Sequence, residues 1–133
     1  MSRKETMKII HTPAVPAPRG HYSQAVEQNG FVFLSGMLPA SDTIDPATHD
    51  FRQQCEAVFH QCQQVLQAAG CGFGDVVQAT AYLVGVENWS LFNEIYASYL
   101  GPHKPARAVV PVPALHHGYA VELQLIACVP GGV

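Results

Sequence analysis

Two charged residues are conspicuous for where they sit in an otherwise charge-poor chain. Arg107 opens a strand-like run after Lys104-Pro105-Ala106, in a sequence where only 13% of residues are charged and few acids lie close by. A guanidinium emerging at such a loop-to-strand junction is suited to clamp a carboxylate through two parallel hydrogen bonds. It is equally suited to a structural ion pair with Glu122 or Glu94, and spacing alone leaves both readings open. Glu122 stands inside an otherwise apolar run, residues 119–129, where an acid is costly unless it is paired or put to use. Arg107, a backbone group, or a water that the carboxylate helps to activate could each compensate it.

Other reactive side chains read as structural. The chain has seven histidines, but His116-His117 is an adjacent pair whose side chains diverge if the segment is extended, and no third ligand lies at helical spacing, so no metal site is expected. His60 falls on a helix flank. Of the four cysteines, at 55, 62, 71 and 128, none forms a Cys-x-x-Cys pair. Cys55 and Cys62 share the apolar face of a helix, where a thiol behaves as a small hydrophobe. Cys71, between Gly70 and Gly72, is the thiol expected to be exposed, yet no basic neighbour would activate it. Trp89, Tyr96 and Tyr99 fit a helix packing pattern and so point to core or subunit contact.

The elements that must position these residues can be read from periodicity. Residues 1–7 read as a loose tail, and Lys8 to His11 as a short strand stopped by Thr12-Pro13. Three prolines between 13 and 19 stiffen the approach to Gly20-His21-Tyr22-Ser23-Gln24. Ala25-Val26 and residues 31–35 form a hairpin around Asn29-Gly30, whose residue types supply the positive φ angles of a tight turn. A loop containing Pro39, Ser41, Asp42 and Pro46 follows. Apolar residues at 51, 55, 58, 59, 62, 65, 66 and 69 define a helix over 51–69, opposite Arg52, Gln53, Gln63, Gln64 and Gln67, with Gly70 as its stop. Val76 to Val84 is a strand. A second helix begins near Asn88 or Ser90, either of which can cap it, presents Phe92, Ile95, Tyr96, Tyr99 and Leu100, and ends at Gly101-Pro102. Residues 107–112 and 119–129 are the last strands.

That order defines a single α+β domain spanning the 133 residues, one sheet with both helices on one face. The strands carry apolar groups on both sides, and two helices cover only one. The other face then needs a second copy of the chain, a reading that the low charge also favours, since typical chains carry about 25% charged residues. A net charge of −3, with seven Lys and Arg in no long run, argues against nucleic acid as a partner. Neither a membrane span nor an apolar leader is evident, so a cytoplasmic protein is expected.

Five short segments, in order over nearly the whole chain, carry a resemblance. Gly20-His21-Tyr22-Ser23-Gln24-Ala25 is similar to the Gly-Pro-Tyr-Ser-Gln-Ala element of the RidA (YjgF-like) family. Phe33-Leu34-Ser35-Gly36, Phe92-Asn93-Glu94-Ile95-Tyr96, Lys104-Pro105-Ala106-Arg107 and Val121-Glu122-Leu123 match in register. The resemblance implies a homotrimer of chorismate-mutase-like fold, with mixed sheets packed inside, helices outside and sites between subunits. It implies a deaminase that hydrolyses reactive 2-imino or 2-enamino acids to 2-keto acids and ammonia without cofactor or metal. Arg107 then takes the position that holds the substrate carboxylate and Glu122 the one that activates water. Tyr22, Ser35 and Asn93 line the pocket, and the backbone near Val109 helps hold the water. Three positions depart from the family pattern: His21 for Pro, Met37 for Gln and Ala108 for a small polar residue; the first two bear on substrate choice. Alternatives are a non-catalytic carboxylate sensor of the same fold and a catabolic deaminase for an aminomuconate-type substrate. The RNA cleavage attached to relatives is opposed by the acidic charge balance.

Overall fold

The computed structural model describes residues 7–40 and 43–131. The expected tail therefore lies outside them except for the exposed Met7, as do Ser41 and Asp42 of the second loop. Six strands, β1 (Lys8–Ile10), β2 (Ala25–Gln28), β3 (Phe31–Leu34), β4 (Val76–Val84), β5 (Ala106–Val112) and β6 (Val121–Cys128), form one sheet in the order β1-β2-β3-β6-β4-β5. Every neighbouring pair is antiparallel except β4 with β5, so the sheet is mixed. Helix α1 (Phe51–Ala68) crosses from β3 to β4 and leaves a slot that β6 fills, while α2 (Trp89–Leu100) crosses from β4 to the edge strand β5.

Local chemistry accounts for the turns. Asn29 and Gly30 take φ of 55° and 82°, and the tight hairpin between β2 and β3 follows from them. Asp50 and Gln53 close a reciprocal capping box at the start of α1, each side-chain oxygen accepting the other's backbone N–H at 2.8 Å. Gly70, at φ 80°, ends the helix. Asn88 precedes α2 but does not cap it. The chain enters through a single 3₁₀ turn, Val86–Asn88, and the Asn88 amide instead donates to the Val84 carbonyl at 3.0 Å.

Both helices lie on one face and bury the expected stripes, Cys55, Val58, Phe59, Cys62, Val65 and Leu66 from α1 and Phe92, Ile95, Tyr96 and Leu100 from α2. Phe59 is the hub: it stacks on Tyr99 at 4.8 Å and meets Phe73, Phe92 and Tyr96 within about 6 Å. Sheet residues Val121, Leu123, Leu125, Ala127, Ala79, Ala81 and Leu83 complete this core. Two glutamines of α1, Gln54 and Gln61, are buried with it. Gln54 donates to the His49 carbonyl at 2.9 Å and accepts the Ala120 N–H at 2.8 Å, so it splices the helix start to the lead-in of β6. That tie helps explain why β6 begins at Val121 rather than Tyr119.

Three local expectations are corrected. Cys71 is buried, because its N–H donates back to the Leu66 carbonyl at 2.8 Å and turns the segment inward; burial pushes its thiol up to about 11. His116 and His117 lie in a 3₁₀ turn rather than an extended segment, with His117 at φ 61° and the two rings 3.8 Å apart. Trp89 is exposed at the start of α2, so of the two packing roles expected for it the core is excluded. His60 is exposed on α1, as a flank residue would be.

Candidate functional site

Register decides where the two charged residues point. Arg107 pairs with Ala79, which pairs with Leu125, and both of those are buried beneath the helices. Arg107 is therefore on the helix face, at the sheet edge. Glu122 pairs with Tyr82, which pairs with Val110, and this row lies on the opposite, open face. With two strand spacings and three residues between them, their Cα atoms are roughly 14 Å apart. Within one chain the structure does not bring them together.

Around Arg107 the partners are neutral. Its Nη1 donates to Asn93 Oδ1 at 2.8 Å, and its guanidinium carbon lies 4.9 Å from the centre of the Tyr96 ring. Asn93 and Tyr96 are three apart on α2 and so share a helix face. Among the described residues Arg107 makes no ion pair, so the structural pairing with Glu122 or Glu94 is not formed within the chain. Glu94 lies instead 3.6 Å from Arg52, which reaches Glu56 at the same distance. A cleft of about 290 Å³ opens here, lined by Asn93, Tyr96, Leu100, His103, Lys104 and Arg107 among others. His103 fixes its rim, since Nε2 donates to the Val76 carbonyl at 2.6 Å.

Around Glu122 the surroundings are those of a half-buried, unpartnered acid. Burial pushes its carboxyl above the ordinary value, and among the described residues its side chain has no hydrogen bond. Gly36 packs against it so closely that a Cβ there would collide with Oε2 and stand 3.2 Å from Cδ. Gly36 is held in place by the next residue: Met37 N–H donates to the Leu123 carbonyl at 2.7 Å, and the Met37 carbonyl accepts the Leu123 N–H at 2.9 Å. Ser35 Oγ donates to the Ser23 carbonyl at 2.6 Å, and its N–H to the Gln24 carbonyl at 3.0 Å. Its hydroxyl proton is thus committed to fastening the segment that presents the exposed Tyr22.

The expected pocket residues thus fall into two groups, Arg107 with Asn93 on one face, and Glu122 with the Ser35–Gly36 segment next to it on the other. Val109 points to the helix face and packs on the core, which leaves only its backbone, in an edge strand, for any other role. Of the departures, His21 is exposed and Met37 is buried in the core, so Met37 does not face an open pocket in this chain. Gln24 is structural: its buried amide bonds Thr12 on both backbone groups and the Pro16 carbonyl. The residue that periodicity assigned to packing alone is Tyr96, whose ring lies beneath the guanidinium; its i+3 spacing from Asn93 was the available signal.

Among the described residues no group of three or more His, Cys, Asp or Glu could hold a metal ion, and no helix is long and apolar enough to cross a membrane. Burial raises the Cys55 thiol to about 12 and raises Cys62 as well, which makes neither a nucleophile.

The fold defines a single-sheet α+β protein with two helices on one face, and it is shared closely with solved structures. RidA from the Antarctic bacterium Psychrobacter superposes with a TM-score of 0.82 at 35% identity, over 91% of this chain and 98% of that one. TdcF of E. coli, solved with bound serine, gives 0.81 at 28% identity over 91% and 98%. Residues 12–129 match the family model described as Endoribonuclease L-PSP. The 2-iminobutanoate/2-iminopropanoate deaminase of Bos taurus is 37% identical over 123 residues, 90% of this chain and 88% of that protein. The chain belongs to the RidA/YjgF family.

Proposed function

We propose that this chain is a cytoplasmic homotrimeric deaminase that hydrolyses 2-imino and 2-enamino acids to 2-keto acids and ammonia, with each site formed by Arg107 of one subunit and Glu122 of the next. The observation that carries the reading is the isolation of Arg107 from acids among the described residues: a cation held there by an amide and an aromatic face is left free to bind a carboxylate. The deaminase activity named for the Bos taurus relative and the serine bound to TdcF support a small carboxylate substrate. The open face supports the trimer. Ile9, Phe31, Phe33 and Val110 are exposed on it, and burying that area would complete what the two helices leave uncovered.

An imine carbon conjugated to a carboxylate is electrophilic enough to be attacked by water without an enzyme nucleophile. Arg107 fixes the carboxylate and so the orientation of the C=N bond, with Asn93 steadying the guanidinium. Glu122 takes a proton from the attacking water as the C–O bond forms and the nitrogen is protonated. The resulting carbinolamine loses ammonia as its C–N bond breaks, with protonated Glu122 giving its proton to the departing nitrogen and taking up the hydroxyl proton as the ketone forms. A 2-enamino acid first gains a proton at C3 to enter the same route. Tyr22 and the backbone of Val109 and Ser35 complete the enclosure around the water. The ribonuclease in the family description finds no support in the charge: single-stranded RNA requires a cationic groove, and the net charge is −3.

The test is ammonia release from 2-imino acids generated in place by an amino-acid oxidase. Wild type should exceed the spontaneous rate. Arg107→Ala should weaken binding of 2-keto acids by about 2–5 kcal/mol, as expected for loss of one partner of a desolvated charge pair. Glu122→Gln should keep binding and lose turnover. Wild type that binds keto acids and turns nothing over would instead define a sensor of the same fold.

A further inference from the structure

We propose that Tyr96 is a positioning residue for Arg107, its ring serving as the platform that holds the guanidinium plane in place. This rests on the reading of Arg107 as the carboxylate clamp and adds what orients it.

An arginine side chain has several rotatable bonds, and a solvent-exposed guanidinium samples many orientations. A bidentate clamp needs one. Asn93 supplies a single hydrogen bond, to Nη1 at 2.8 Å, and one bond leaves the plane free to swing about that atom. The second constraint is the Tyr96 ring, 4.9 Å below the guanidinium carbon, close enough for its negative face to attract the cation. The ring itself is immobile: Tyr96 is 8% exposed and wedged against Phe59 and Phe92 at 6.1 and 5.7 Å. Two contacts from one face of one helix therefore fix a point and a plane. Arg107 itself lines the cleft beside Asn93 and Tyr96.

The hydroxyl of Tyr96 separates this role from ordinary packing. Its oxygen is buried and has no hydrogen-bond partner among the described residues, a cost that a phenylalanine would not incur. The ring is thus the part that contacts Arg107. Loss of the hydroxyl and loss of the ring have opposite expected effects.

The experiment follows the Arg107 Nε–Hε cross-peak by NMR without ligand, assigned by its disappearance in Arg107→Ala, and titrates the same proteins with 2-oxobutanoate. Wild-type Hε should be displaced by the ring current. Tyr96→Leu and Tyr96→Met should move it to the position of an exposed arginine and weaken 2-oxobutanoate binding about threefold to tenfold, the range of a cation–π contact. Tyr96→Phe should restore the displaced peak and most of the lost affinity, with a raised melting temperature. The wild-type spectrum alone can overturn the proposal, if Hε already lies at the exposed position; so can unchanged affinity in Tyr96→Leu when Arg107→Ala abolishes binding. If wild type binds no keto acid while the peak still responds to Tyr96→Leu, the platform stands and the carboxylate reading of Arg107 falls.

Discussion

Two inactive chains should make an active protein when mixed. Arg107 and Glu122 occupy opposite faces of the sheet about 14 Å apart, so on the proposed mechanism a working pair comes from different subunits. In the proposed ring of three each interface is heterologous, with one subunit giving its Arg107 side and the next its Glu122 side. An Arg107→Ala chain retains a good Glu122 and a Glu122→Gln chain a good Arg107. After unfolding and co-refolding at equal amounts, an interface is intact only when the subunit giving the arginine is Glu122→Gln and its neighbour is Arg107→Ala. Random assembly makes that probability one half times one half, so about a quarter of wild-type activity should return from two parents that each have almost none. The control runs the other way. Wild type co-refolded with a chain carrying both substitutions should fall from one half of full activity to about a quarter, since a site then needs two wild-type neighbours. Ammonia release per total protein reads both. If the singly substituted mixture stays inactive while the control shows that subunits have mixed, the shared-site argument is wrong.

Four other outcomes follow from the same geometry. Burial raises the Glu122 carboxyl, so kcat/KM should fall as the pH drops, with a midpoint above the ordinary 4.5; a profile flat down to pH 4.5 would remove Glu122 as the base. The same carboxyl binds its proton more tightly in the folded state, so between 4.5 and its raised value it costs stability increasingly as pH rises, and Glu122→Gln should melt higher than wild type at pH 7 with the gap closing toward pH 4. Gly36→Ala should displace the flexible Glu122 carboxylate at a stability cost under about 1 kcal/mol while cutting turnover at least about tenfold, which thermal melts and the oxidase-coupled assay separate. Gln54→Leu should leave the half-buried His49 carbonyl and Ala120 N–H without their partner, costing about 1 kcal/mol in urea unfolding and leaving turnover per folded protein unchanged.

What could be read from the sequence was what depends on near neighbours. The Asn29-Gly30 hairpin and the apolar stripe of α1 follow from residue types a few positions apart, and both formed as read. Hydrophobic pattern missed Gln54, a polar side chain outside the apolar stripe that is nonetheless buried and held by two hydrogen bonds. It failed again at Cys71, whose flanking glycines suggested an exposed loop, because the backbone bond to Leu66 that draws it inward leaves no mark in composition. Strand order was out of reach, since β6 enters the slot between β3 and β4 from the far end of the chain. Without that order neither the separation of Arg107 from Glu122 nor the placement of Arg107 over the Tyr96 ring could be derived, although all three residues were in view.

The separation is nonetheless a consequence of the core. Side chains alternate along a strand, so two residues on laddered strands share a face only if their offset from the paired positions is even. Arg107 is level with Leu125 through Ala79, and Glu122 is three residues from Leu125, an odd offset. Sliding β6 by one residue would put Glu122 on the face of Arg107, but it would also turn Val121, Leu123, Leu125 and Ala127, all buried under the helices, out to the open face. Burying four apolar side chains at about 1–3 kcal/mol each far outweighs any attraction between one acid and one base across a wet surface. The register that builds the core is therefore the one that keeps Arg107 away from its own Glu122, and it leaves the guanidinium without an internal carboxylate to neutralise it.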